Sequence, residues 1–327
     1  MAFSLGGISA WTDELGDKGD FIMKSILSAK TLQALPGIDK RMGITGFTEK
    51  IPTFESTTPW QAGAACGFTT SGTTTVTQIS LTTVPIKIQE SICLQDLETY
   101  AIHKLLPKSD RPETFQLLDM WVGRKLANAA LHLESAMWQG KSTYTNDSHL
   151  KLIDGWISQI DAASDEIAAT QQASITTSTV RGIIEEMAYT KIPSAIRDSN
   201  PVIVCGYDTF NIYRNKLMVD NLYHLDPTNT NMGAYQMNVF GTNVRLIGLP
   251  GLNNDNAVET GVLPTVVKNR LFAFAEDNLL VGMNTESGMN DFKVWYSEDD
   301  QLLKFSTRFH FGVGKKYTDQ IVSYVNS

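Results

Sequence analysis

The residues able to do chemistry in this chain are few and far apart. Its five histidines, His103, His132, His149, His224 and His310, never fall into H-x-x-x-H or H-E-x-x-H, the spacings that put two imidazoles on one helical face for zinc. His132-Leu133-Glu134 matches the H-x-E half of a zinc-deaminase signature. The P-C-x-x-C half is missing and Cys205 stands alone, so an exposed helix histidine is expected. Cys66, Cys93 and Cys205 form no paired motif and suit a reducing compartment, with Cys66 read as a small buried apolar residue. No G-x-S-x-G elbow is present. Gly312-Val313-Gly314-Lys315-Lys316 lacks phosphate-loop spacing and lies in a run that reads as strand. Glu298-Asp299-Asp300 and Asn253-Asn254-Asp255-Asn256 offer hard oxygen ligands without the glycine-hinged spacing of an EF-hand loop, so solvated turns are expected. The basic pairs Lys40-Arg41, Arg124-Lys125 and Lys315-Lys316 are either solvated or face nucleic acid through phosphate contacts. No catalytic, cofactor-binding or metal-binding residue is expected from this inventory.

A gap in charge is more informative. From Ser56 to Ile86 thirty-one residues pass without an Asp, Glu, Lys or Arg, in a chain that is 19% charged. Chance produces such a run on the order of once in a thousand starting points at ordinary residue frequencies. The stretch is rich in Thr and punctuated by Gly63, Gly67 and Gly72, and it alternates through Val76, Ile79, Leu81 and Val84, which reads as a strand hairpin. It is too polar to span a membrane. A flat hairpin without guarding charges is an aggregation hazard in water, so a partner is expected to cover it.

The bulk numbers fit a folded protein of several packed layers, with 327 residues, 42% hydrophobic content and six scattered Trp. A net charge of −8 argues against an outer surface built to grip nucleic acid. The N-terminus lacks the basic-then-apolar pattern of a secretory signal, and no membrane-spanning segment is expected.

The elements that must position these residues follow from periodicity. Met1 to Phe47 is broken by glycines and reads as an extended arm with at most one helix, near Phe21 to Leu35. The strongest helix runs from Pro112 to Gln139, capped by Ser109 or Asp110 and about 40 Å long. Phe115, Leu118, Val122, Leu126, Ala129, Leu133 and Met137 form its inward stripe, and Leu117, Trp121, Leu131 and Trp138 a second one. A helix from Thr177 to about Ala188, a strand at Pro201 to Gly206, a helix at Asp208 to Leu217 and a strand at Val244 to Leu249 predict a compact α/β unit. A loop from Pro250 to Gly261 leads out of it. Strands are expected at Arg270 to Ala275, Asn278 to Met283, Phe292 to Tyr296 and Leu302 to Val313, with one face on the long helix.

This order of elements resembles the major capsid proteins of tailed bacteriophages, whose fold is shared with encapsulins and the herpesvirus capsid floor. Two phrases carry the likeness locally: Asn200-Pro-Val-Ile-Val-Cys-Gly before a helix, and Leu271-Phe-Ala-Phe-Ala-Glu-Asp-Asn-Leu-Leu-Val-Gly before Phe292-Lys-Val-Trp-Tyr. The resemblance implies an α+β capsid fold. Its parts would be an N-terminal arm (1–50), an extended hairpin or E-loop (51–90), a peripheral domain (91–173) with its spine helix, an axial domain (174–262) and closing peripheral strands (263–327). It further implies pentamers and hexamers that close an icosahedral shell around double-stranded DNA. A portal and separate scaffolding or decoration proteins would be partners, and the virion, assembled in the bacterial cytoplasm, the location. Trp60, Phe68, Val76, Ile79, Leu81 and Val84 would then be intersubunit contacts of the hairpin. No lysine lies between Lys50 and Lys87, so the lysine–asparagine crosslink of some members is not expected. An encapsulin-type compartment is the alternative, and an α/β enzyme with an inserted β-domain a third reading.

Overall fold

The computed structural model describes residues 29–44, 46–57, 60, 63, 72–93, 113–144, 149–163, 165–220, 235–253, 270–284, 293–297 and 299–326, apart from the side chains at 55, 113–122, 284, 293, 294 and 296. Its centre is a six-stranded sheet in the order β5-β13-β9-β6-β8-β7. These strands are Ile167–Ala168 (β5), Pro201–Cys205 (β6), Gln236–Asn238 (β7), Arg245–Gly248 (β8), Leu271–Ala275 (β9) and Val322–Tyr324 (β13). The apolar runs Pro201-Val-Ile-Val-Cys and Leu271-Phe-Ala-Phe-Ala are continuous because both faces of this sheet are covered. Val202, Val204, Phe272 and Phe274 enter one core, while Ile203, Cys205, Leu271, Ala273 and Ala275 enter the other.

The second core is closed by two helices. Val180–Glu186 continues as a single π-helical turn at Met187–Lys191, three residues beyond the expected end, and Tyr207–Val219 follows β6 directly. In the latter, Asp208 sits in the first turn and Lys216 in the last, where its ammonium pairs with Asp220 at 2.8 Å.

A second sheet is built around β12 (Leu302–Lys315). It runs β1-β10-β12-β11, with β4 on the other edge of β12. Here β1 is Asp39–Met42, β4 Val84–Cys93, β10 Leu279–Asn284 and β11 Lys293–Ser297. The inward residues of β12, Leu303, Phe305, Phe309, Phe311 and Val313, share the first core with Phe272 and Phe274 of the central sheet. A separate two-stranded hairpin pairs β2 (Thr48–Ser56) with β3 (Thr74–Thr82).

Two helices fill the first core. The long one spans Glu113–Gln139, as its periodicity predicts, and Trp156–Ala163 was not foreseen. The two-stripe picture of the long helix needs correction at its C-terminal end. Leu131 is exposed, whereas every residue from Leu133 to Gly140 is buried, because this end is wedged between two sheets rather than laid on one. Trp138 meets Trp156 edge-on with ring centroids 4.8 Å apart and stacks on Phe272 at 6.1 Å. Each indole N–H finds an acceptor: Trp138 Nε1 donates to Thr31 Oγ1 and Trp156 Nε1 to the Gly314 carbonyl, both at 2.8 Å.

Glu134 lies in this wedge, 2% exposed. Its carboxylate accepts the Thr31 N–H at 3.0 Å and the Thr31 hydroxyl at 2.5 Å. Burial pushes its pKa up, against the Thr31 hydrogen bonds that favour the ionised form. Further along, the Gly37 N–H donates to Glu276 at 2.6 Å and Asp39 pairs with Lys316 at 3.0 Å. These bonds, the short helix Lys30–Ala34 and β1, which pairs in parallel with β10, tie residues 29–44 into the body. The arm expected over 1–50 therefore does not include them, and residues 1–28 lie outside the described residues. Three further boundaries differ from expectation. The hairpin ends at Thr82, Val84 begins a strand of the second sheet, and β9 belongs to the central sheet, not to the closing strands.

The hairpin is seated on glycine. Gly282 and Gly312 face each other across β10 and β12. A Cβ on Gly312 would lie 2.1 Å from the Thr82 carbonyl oxygen, and one on Gly282 2.7 Å from Ile44 and 2.9 Å from Leu81. Leu81, Ile44, Ile51 and Leu280 make a small core of their own here, apart from the two main ones.

Two outcomes are expected. Glu134→Gln sets an amide N–H against a donor of Thr31 and should lower the unfolding free energy by about 1–3 kcal/mol in urea titration. Because the folded pKa of Glu134 is raised, its protonation favours the fold. Wild-type stability relative to E134Q should thus fall as pH rises from the unfolded pKa through the folded one, and a flat difference would contradict the burial of an ionising carboxyl. Gly312→Ala should cost about 1–3 kcal/mol by overpacking and speed amide exchange at residues 79–83, whereas Gly182→Ala, with open space at its Cβ, should not. Wild-type exchange in G312A would contradict the seat.

Candidate functional site

The groups that suggested chemistry are mostly consumed by structure. Cys205 is fully buried and burial pushes its thiol pKa up, out of reach of reactivity. His132 is exposed on the long helix and its ring lies 4.4 Å from that of His149, a neighbour that sequence spacing did not suggest. His310 sits in β12 with its ring 5.3 Å from Phe47. His103, His224 and Cys66 lie outside the described residues, as do Glu298 and residues 254–256. Among the described residues no cluster of three or more His, Cys, Asp or Glu is arranged to hold a metal ion. Asp300 instead bonds Ser297 and Lys304 within its turn.

Several basic residues are neutralised inside the chain. Arg41 pairs with Asp39 at 3.0 Å, Lys125 with Glu90 at 2.8 Å and Lys316 with Asp39. Lys315 contacts Thr318, and burial lowers its pKa. The Gly312 and Gly314 backbone belongs to β12 under the hairpin, not to a phosphate-binding turn.

The hairpin leaves apolar surface without an internal explanation. Its register places Ile51 opposite Ile79 and Thr53 opposite Thr77, with the two threonine hydroxyls 2.6 Å apart. That face becomes the small seat core at its base. The other face carries the pair Phe54 opposite Val76, which are 65% and 57% exposed, and Trp60, beyond the end of β2, is 87% exposed. Exposed apolar residues opposite each other on a two-stranded ribbon are what a covering partner would remove from water.

The six candidate contacts therefore separate. Trp60 and Val76 are exposed and free to meet a partner. Leu81 is fully buried in its own chain and leaves the contact set. Ile79 is half-buried against the seat core, and Val84 lies in β4, opposite Phe311 in the second sheet. Phe68 lies outside the described residues. Phe54 was overlooked because the charge-free stretch begins after Glu55. The signal was present in the alternation of Ile51 and Thr53 with Pro52 and Phe54.

No protein-family model and no curated protein matches the chain. Solved structures do. A chain of the satellite phage P4 procapsid that includes the size determination protein aligns over 94% of this chain and 99% of its own, at 8% identity and a TM-score of 0.55. A chain from the capsid of an empty GTA particle aligns over 92% and 91% at 11% identity and a TM-score of 0.56. A chain from the capsid of Myoviridae phage XM1 aligns over 91% and 92% at 11% identity and a TM-score of 0.54. Each of these alignments spans more than nine-tenths of the chain, and so this chain has the phage capsid fold.

Proposed function

We propose that the chain is the major capsid protein of a tailed bacteriophage. It is a structural subunit that self-assembles as pentamers and hexamers into an icosahedral shell around double-stranded DNA, without catalysis. The observation that carries this reading is a capsid fold, matched over more than nine-tenths of the chain, joined to a hairpin whose distal apolar pair and Trp60 are open to water. In this reading the β2–β3 hairpin is the extended loop that crosses to a neighbour. The central sheet with its two helices is the axial domain at pentamer and hexamer centres, and the β12 sheet with the long helix is the peripheral domain.

Each hairpin contact contributes modestly. Apolar burial stabilises by about 25 cal/mol per Å² before the costs of association, and a closed shell repeats the contact many times. Because the hairpin lacks lysine between Lys50 and Lys87, packing rather than a covalent bond holds neighbours together. Packaged DNA meets the inner wall by nonspecific contact. A portal and separate scaffolding or decoration proteins complete the particle, which is assembled in the bacterial cytoplasm.

Negative-stain microscopy of the purified full-length chain should show closed shells, and a small species that never assembles would overturn the reading. Replacing residues 57–73 by an Asn-Gly turn keeps β2, β3 and their seat. This variant should give subunits with unchanged circular dichroism that form no closed shells. Shells at wild-type yield would remove the hairpin from the assembly role.

A further inference from the structure

The first core does not close fully where the long helix passes β4. A cavity of about 510 Å³ opens between them, bordered also by the segment that carries His149 and Ile153. Sequence spacing accounts for the opening. Lys125, Ala129, His132, Leu133 and Ala136 recur on one helical face, and the two alanines put short side chains across from Ile86 and Ile88 of β4. The floor is apolar, since Leu133, Ile153 and Phe309 belong to the first core. The mouth is polar. His132 is exposed and His149 half-buried, and their rings approach to 4.4 Å from two different elements. A concave apolar site of this volume with a few convergent polar groups has the form of a small-molecule pocket.

Charge selects the ligand. The chain holds 35 acidic against 27 basic residues, yet the ionisable groups lining this cavity are Lys87, Lys125, His132 and His149, and no carboxylate among the described residues lines it. Glu90, the nearby acid, is already paired with Lys125 at 2.8 Å. Imidazole rings and ammonium groups donate hydrogen bonds, and an ionised carboxylate only accepts them, so an anionic head matches the mouth. An apolar body matches the floor, because each methylene taken from water there adds to binding.

We propose that this cavity binds a medium-chain monocarboxylate, with its tail on Leu133, Ile153 and Phe309 and its carboxylate accepting hydrogen bonds from the His132 and His149 rings. A ligand seated in this way bridges the long helix and β4 and fills the gap that Ala129 and Ala136 leave between them. The phosphate backbone of a nucleic acid brings charge without the apolar body that the floor selects. A cationic amphiphile brings the body but meets basic groups at the mouth.

The test is isothermal titration of the purified full-length chain with decanoate, decanol and decyltrimethylammonium, each below its micelle concentration. Decanoate should bind one to one and about tenfold or more tightly than decanol, and decyltrimethylammonium should give no measurable binding. Replacing both imidazoles (His132→Ala with His149→Ala) should bring decanoate down to the affinity of decanol, with circular dichroism unchanged. Ala129→Phe fills the gap and should abolish binding of both probes, which separates the loss of the head contact from the loss of the cavity. No binding of decanoate, equal affinity for all three probes, or wild-type decanoate affinity in either variant overturns the proposal.

Discussion

The structure depends on the burial of one helix end between two sheets. A helix laid on a single sheet keeps a polar face, but the last two turns of the long helix have none left. Leu133, Met137 and Trp138 face apolar residues from the central sheet and from β12 in one continuous core. Polar groups trapped there have to be satisfied internally, and most are, Gln139 Oε1 being left without a partner. Glu134 accepts two hydrogen bonds from Thr31, Trp138 donates to the same threonine, and Gln139 donates to the Gly251 carbonyl at 2.6 Å. The same bonds fasten the segment that follows residue 28 onto the body, so the wedge organises both the core and the point at which the N-terminal segment joins it.

The hairpin obeys the opposite rule. Its contact with the body lies at its base, in a four-residue core, on strand glycines that let the backbone of Thr82 and Thr83 lie flat on the sheet, and in an ion pair of Glu49 with Arg41 at 3.8 Å. Beyond that seat it buries little of itself. A ribbon of two strands gains too little from its own burial to be stable alone in water. Firm fixing at the base and exposure beyond it are what an element that completes its packing on another copy requires. The same division explains why Leu81 and Val76, two residues of one alternating strand, have different fates.

Electrostatics follow a similar division. The chain is acidic overall, and several of its cations are spent on internal pairs such as Asp39 with Lys316 and Arg270 with Asp161 at 2.7 Å. Burial alone would raise the Asp39 carboxyl. Hydrogen bonds from Lys316 and Arg41 outweigh it and hold the pKa below the usual range.

The sequence by itself determined the long helix, the two all-apolar central strands, the order of helix and strand between them, and the presence of an unguarded hairpin. Each of these is written in local periodicity or in the absence of charge. Tertiary structure alone decided which strands share a sheet, because β9 and β13 join β6 through pairing between residues far apart in the chain, which no local pattern records. It also decided that residues 29–44 are body rather than arm, since that follows from distant acceptors such as Glu134 and Glu276. The hairpin's division into a seat and an open face depends on Gly282 and Gly312, whose role appears only when another strand is laid across them.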